Sequence, residues 1–304
     1  MKKLGLTSML LALVCLCLGS ATTFAQSEKI SIRIVPKPNQ TSRLSLSQDG
    51  EIEMSFEGNV PEELAKMNPM RIKMKTLTSM TVRSSAPDNR GQLEVEMSYD
   101  KSSAEMTMNG NPMPGGNEAD KLIGKKFKVV YDRQGNLVDV KIPPGTGLPS
   151  ESFKEMLKSI YGNLPTAPMA VGETAVVPFK TTFPLPIPGA GPLNLEGQAI
   201  TKLVAVNKGA ADRIARFDQI TDAKLVVNSL DAPGPDGQRI KMNLDFKMSG
   251  FGTYQMNLDK GMVKSGDMQM KIEGRVTSLQ SSAQSKMPNI NVRGTIRVAV
   301  TGGN

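Results

Sequence analysis

The side chains that carry most protein chemistry are nearly missing from this sequence. It has no histidine and no tryptophan, and its two cysteines, Cys15 and Cys17, lie within the first 25 residues. A Ser-His or Cys-His nucleophile pair needs an imidazole, so that chemistry is excluded, and the Gly-x-Ser-x-Gly pattern is absent as well. A carboxylate pair or a Ser-Lys dyad remains chemically open, but no residue stands out for either. The expectation is a protein with no catalytic residues and no cofactor, not an enzyme.

Methionine is the unusual surplus, at 20 residues. Met106, Met108 and Met113, and separately Met268 and Met270, present the soft thioethers that suit Cu(I). No histidine or cysteine joins either group, so no metal site is assigned. Methionine is also an adaptable filler of apolar cores and a re-packing lining for promiscuous binding surfaces. Core filler is the commoner outcome for an apolar residue. The acidic turn with Asp132, Gln134, Asn136 and Asp139 lacks the twelve-residue calcium-loop spacing, and the glycine-rich stretch 189–197 lacks the ending of a phosphate loop.

The leader sets the context. Lys2 and Lys3 precede an apolar run from Met9 to Leu18, and small residues lead to Ala25, which is the layout of a cleavable secretory signal. Ala25 is the expected cleavage site, with Ala21 as an alternative. Both thiols leave with this segment, so the exported chain has no disulfide. The run is too short to span a bilayer as a helix, so the protein is expected to be secreted or periplasmic, not membrane-spanning, with contact at a membrane surface left open. The formal charge of +8 falls to +6 without Lys2 and Lys3, and its charges are interspersed. A nucleic-acid partner is not expected, because basic clusters with interleaved aromatics are lacking.

The elements that must position any site are strands. Apolar residues alternate with polar ones at Ile30, Ile32 and Ile34, at Ile52, Met54 and Phe56, and over 70–74, 93–99, 127–129, 240–246, 268–272 and 290–298. One wet and one buried face is the mark of antiparallel sheet. Asp-Gly turns at Gln48 to Gly50, Asp132 to Gly135 and Asp259 to Gly261 read as hairpins. One amphipathic helix is predicted from Ser152 to Tyr161, where Ser152 and Glu155 form a capping box and Phe153, Met156, Leu157 and Ile160 make the apolar stripe. Shorter helical turns are predicted at Pro61 to Met67 and Ala119 to Ile123. The expected organisation is a signal peptide (1–25), an N-terminal β unit (26–148), the helix (149–163) and a C-terminal β unit with a proline-rich entry (164–304), the last three forming either separate units or one continuous domain. The fold class is mainly β: curved antiparallel sheet, in two similar halves or one piece, with short helices packed on it.

Two segments then carry a family resemblance: Leu122 to Val140, a strand, turn and strand, and Leu164 to Thr174, which ends in Ala-Val-Gly-Glu-Thr. They resemble a group of exported bacterial β-rich proteins of unknown function, many of which have Trp where this chain has Ala175. The architecture implied is similar to periplasmic lipoprotein carriers, in which a curved antiparallel sheet is plugged by helices over an apolar hollow. The resemblance implies an apolar or amphipathic ligand, a lipid or the greasy part of another exported protein, held between sheet and helix. The candidate lining is Met54, Phe56, Met97, Tyr99, Phe127 and Val129 on strands, with Phe153, Met156, Leu157 and Ile160 on the helix. The alternative is a structural or protein-interaction module of the cell envelope.

Overall fold

The structure, a computed structural model, describes residues 28–33, 35–58, 60–113, 122–144, 165, 167–183, 193–208, 212–233, 239–279 and 288–303. The predicted helix over Ser152 to Tyr161 lies outside the described residues. Twelve strands follow one another: β1 (Thr41–Glu57), β2 (Met70–Ser84), β3 (Leu93–Met108), β4 (Asn111–Pro112), β5 (Lys126–Tyr131), β6 (Leu137–Lys141), β7 (Thr174–Phe183), β8 (Leu193–Lys208), β9 (Arg213–Pro233), β10 (Arg239–Asn257), β11 (Met262–Ser278) and β12 (Asn289–Gly303). Among the described residues, a five-residue helix, α1 (Glu62–Lys66), sits between β1 and β2, within the span predicted as a helical turn.

All of the strands belong to one open, curved antiparallel sheet in the order β6-β5-β3-β2-β1-β12-β11-β10-β9-β8-β7, with β4 beside β3. The first and last strands meet at its centre, where Thr41–Glu57 pairs along its length with the C-terminal strand, Arg43 opposite Gly303 and Glu57 opposite Asn289. Neighbours in the sheet are mostly neighbours in sequence, the hairpin-by-hairpin meander of antiparallel architecture. Pro178 falls in β7, an edge strand, where a missing N–H removes no required ladder bond.

Two of the expected turns form as read. Asp132 Oδ1 accepts from the amides of Gln134 and Asn136, and Gly135 takes φ 83° between β5 and β6. Gly261, at φ 64°, closes the β10–β11 turn, and a Cβ there would lie 1.9 Å from the Val35 carbonyl oxygen. Gln48, Asp49 and Gly50 do not turn. They continue β1 through its middle, with Asp49 opposite Arg297 and Lys75, because pairing on both sides holds the backbone extended. Ile30 and Ile32 are not in a strand either. They belong to a strap over 28–33 and 35–40 that crosses one end of the sheet.

That strap is tied at several points. Ile30 and Met169 exchange two backbone hydrogen bonds of 2.8 Å, Lys37 N–H donates to Lys260 O at 3.1 Å, and Arg33 donates to Gln134 O. Beneath it lie two packed clusters. Ile30, Ile32 and Met169 pack on Leu203, Ala215, Phe217 and Met256, while Val35 packs among Val82, Leu93, Val95, Val129, Tyr131 and Met262. The second cluster joins β5 to β11, five steps apart in the strand order, which requires the sheet to curl at this end.

Candidate functional site

Because successive side chains point to opposite faces, register places every residue on one of two surfaces. On one face, Leu46, Gln48, Gly50, Ile52 and Met54 of β1 align with Thr78, Thr76, Met74, Ile72 and Met70 of β2 and with Val300, Val298, Ile296, Gly294 and Val292 of β12. The same rows run on through Met268, Met270 and Ile272 of β11 and through Phe246 and Met248 of β10. Following these rows across β3, β2, β1, β12, β11, β10, β9 and β8, none of the inward side chains at Met70, Ile72, Met74, Thr76 and Thr78, or at the positions paired with them, carries a charge.

Burial along this face is uneven. On β8 and β9 the inward residues Leu203, Ala215 and Phe217 have no exposed surface, since the strap covers them. On β1, β2, β11 and β12 the inward Leu46, Ile52, Met54, Ile72, Met74, Met268, Met270, Ile296 and Val298 are half-exposed, and Met106 of β3 is exposed. Met169, Met256 and Met262 are the buried methionines among the described residues; most others lie on the half-exposed part of the face. There the thioether lining is a surface more than a core. Bare backbone makes room for large side chains: a Cβ at Gly274 would lie 2.1 Å from the Phe246 ring, and one at Gly50 would lie 2.7 Å from Met74 Cε.

The strand residues named as lining divide between the two regions. Met54 lies on the half-exposed part. Phe56 is buried near the far end of β1, where the Asn68 side chain bonds both its N–H and its carbonyl at 3.1 Å. Phe127 and Val129 are packed solid, at 0% and 1% exposure, and Val129 belongs to the cluster under Val35. Met97 packs against that cluster, and Tyr99 meets Phe127 edge-to-face, with centroids 5.4 Å apart; burial raises its phenol pKa. Phe153, Met156, Leu157 and Ile160 lie outside the described residues. Missing from the candidate lining were Met74, Ile296 and Met270, which share one row with Met106; only the pairing of the first and last strands brings them together.

A short polar band interrupts this face. Thr201 and Gln219 are directly paired, and the Gln219 amide donates to Thr201 Oγ1 at 3.5 Å. Tyr254 stacks on Phe217 at 4.8 Å and 17°, and its buried hydroxyl makes no hydrogen bond of acceptable geometry. Burial pushes this phenol up to about 12, offset only in part by nearby Thr201.

The opposite face is charged. One row runs Lys180, Glu196, Lys224, Lys247, Glu273, Arg293, Glu53, Arg71 across eight strands. Glu53 takes hydrogen bonds from Arg293 and, at 3.0 Å, from Arg71; these hold its carboxyl below the usual range, with the Arg293 bond the larger cause. Arg297 does the same for Asp267. A depression of about 520 Å³ on this side is lined by Asp49, Glu51, Lys73, Lys75, Glu105 and Arg297, a trough between charged rungs. The exception is a second row, in which Val176, Ile220 and Phe251 are exposed and aligned with Ile200. Among the described residues, no cluster of three or more Asp and Glu forms a metal-ligating group, and no helix is long and apolar enough to cross a membrane.

No family model matches this chain, and no curated protein matches it. Solved structures do. A structure of lipovitellin, described by its lipid-protein interactions, matches with 11% identity and a TM-score of 0.44, over 89% of this chain and 26% of that one. This chain therefore spans about a quarter of the lipovitellin chain. OccK11 (OpdR) of Pseudomonas aeruginosa matches with 6% identity and a TM-score of 0.19, over 90% of this chain and 100% of that one. Both scores are low, and the functional reading rests on this chain's own geometry.

Proposed function

We propose that this is an exported, non-catalytic envelope protein that holds an apolar or amphipathic ligand, a lipid or a lipid-bearing protein segment, on the half-exposed face of its sheet. The observation that carries the reading is that face: uncharged, methionine-lined and half-exposed across β2, β1, β12 and β11, opposite a face of charged rungs. A contiguous exposed apolar surface of this kind marks a ligand or partner site. Its methionines adapt to varied apolar shapes.

Magnitudes narrow the ligand. At about 0.8 kcal/mol per buried CH₂, a chain of about sixteen carbons gains roughly 12 kcal/mol at most, against an association cost of about 4–15 kcal/mol. One acyl chain is marginal; two on one molecule are not. The test is native mass spectrometry and lipid extraction of the purified full chain. Lipid at near one molecule per protein supports the reading. A protein that neither carries lipid nor takes it up from vesicles overturns it.

A second reading has its own observation. Val176, Ile220 and Phe251 form an exposed apolar row on the charged face, ending at edge strand β7, which favours contact with another exported protein there. Cross-linking in cells through a photoreactive residue at Phe251 distinguishes it: a defined protein adduct without extractable lipid supports this second reading over the first.

A further inference from the structure

The uncharged face is not uniformly apolar, and its polar groups cluster. Thr201, Gln219 and Tyr254 lie on adjoining strands between the packed cluster under the strap and the methionine-lined region, and Gly252, opposite Gln219, places no side chain over the Gln219 amide. Gln219 is half-buried, with one amide hydrogen bond of 3.5 Å. The Tyr254 hydroxyl is buried near Thr201 without a hydrogen bond of acceptable geometry. A buried hydroxyl left without a good partner is costly, so a ligand oxygen beside it would recover part of that cost. No Lys, Arg, Asp or Glu lies on the surrounding rows, and a ligand charge brought there would lose its hydration without gaining a partner.

We propose that Gln219 and Tyr254, backed by the fully buried Thr201, form a polar subsite for the head of an uncharged lipid, its hydroxyl or ester oxygens bonding there while its acyl chains lie along Met74, Met270 and Ile296. This rests on the reading of the face as a ligand site, and it names the ligand class: neutral acylglycerol-like lipid, as opposed to fatty acid or phospholipid. The amide supplies donor and acceptor, the phenol supplies a donor, and neither responds to ionic charge.

Uptake by the purified full chain is measured with three probes: 1,2-dioleoylglycerol, dioleoylphosphatidylglycerol in vesicles, and hexadecane. The wild type is expected to take up dioleoylglycerol at least about tenfold better than phosphatidylglycerol. Gln219→Leu and Tyr254→Phe are each expected to lower dioleoylglycerol uptake by roughly 3- to 10-fold and to leave hexadecane uptake unchanged, which also reports that the variants are folded. Equal uptake of phosphatidylglycerol, or variants that lower dioleoylglycerol and hexadecane alike, would overturn the subsite while leaving the ligand face intact. Failure of the wild type to take up any of the three overturns the face itself and the subsite with it.

Discussion

Leu203, Ala215 and Phe217 on β8 and β9 show no exposed surface, whereas Leu46, Met270 and Ile296 on β1, β11 and β12 stay half-exposed, although both sets point from the same face of one sheet. The difference is a second layer. Ile30, Ile32 and Met169 lie over the first region, so its side chains are surrounded on all sides and set the stability of the fold. Over the second, the described residues supply no comparable cluster, and the same apolar chemistry becomes a surface. One face of a sheet therefore acts as core where a strap covers it and as a candidate site where it is open.

Substitutions separate the two roles, and the largest effect belongs to the packed region. Phe217→Ala is expected to cost about 3–5 kcal/mol in urea unfolding, the range for a large side chain deleted from a packed core. Met270→Ala, already half in water, is expected to cost within about 1 kcal/mol. Equal costs would erase the distinction. Next, a charge at the open region is expected to act on binding before stability: Met270→Asp should reduce co-purifying lipid by at least about tenfold while the protein still folds, since a carboxylate there strips the face of its uncharged character. Undiminished lipid would place the ligand elsewhere.

Two pH limbs sharpen the comparison further. Tyr254 titrates near 12, above its ordinary 10, because burial disfavours the phenolate. Its neutral form is favoured by folding, so that contribution is whole below about pH 10 and is lost as pH rises through about 12, on the order of 2 kcal/mol. Tyr254→Phe is expected to flatten the alkaline limb of a pH-stability profile; an unchanged limb would contradict the buried hydroxyl. The smallest effect lies on the charged face. Glu53 is held below its ordinary 4.5 by Arg293 and then Arg71, so its contribution is present above that value and lost as pH falls below it. Glu53→Gln is expected to soften the acid limb slightly, as for other exposed ion pairs.

How much was legible in the sequence follows from which contacts are local. Alternation at Ile52, Met54 and Phe56 or at Met268, Met270 and Ile272 is visible in a window of five residues, and the Asp132 and Asp259 turns carry their own chemistry. At Asp49-Gly50 local turn chemistry misleads, because pairing with two long strands overrides it. β7, β8 and β9 went unread, since Ala199, Thr201, Gln219 and Thr221 sit on the apolar face while Val176, Ile220 and Val226 point outward, which blurs the alternation. For the site, Met54 was within reach. The row through Met106, Met74, Ile296 and Met270 was not, because it exists only after the first and last strands pair at the centre of the sheet.

The methionines themselves offer the most direct measurement. Limited peroxide oxidation of the full chain, read by peptide mass spectrometry with and without bound hexadecane, compares half-exposed Met74, Met106 and Met270 with buried Met169, Met256 and Met262. The expected result is that the first three oxidise readily in the lipid-free protein and are protected on loading, while the buried three stay slow in both. Oxidation of Met74, Met106 and Met270 that does not change on loading would contradict a ligand on this face.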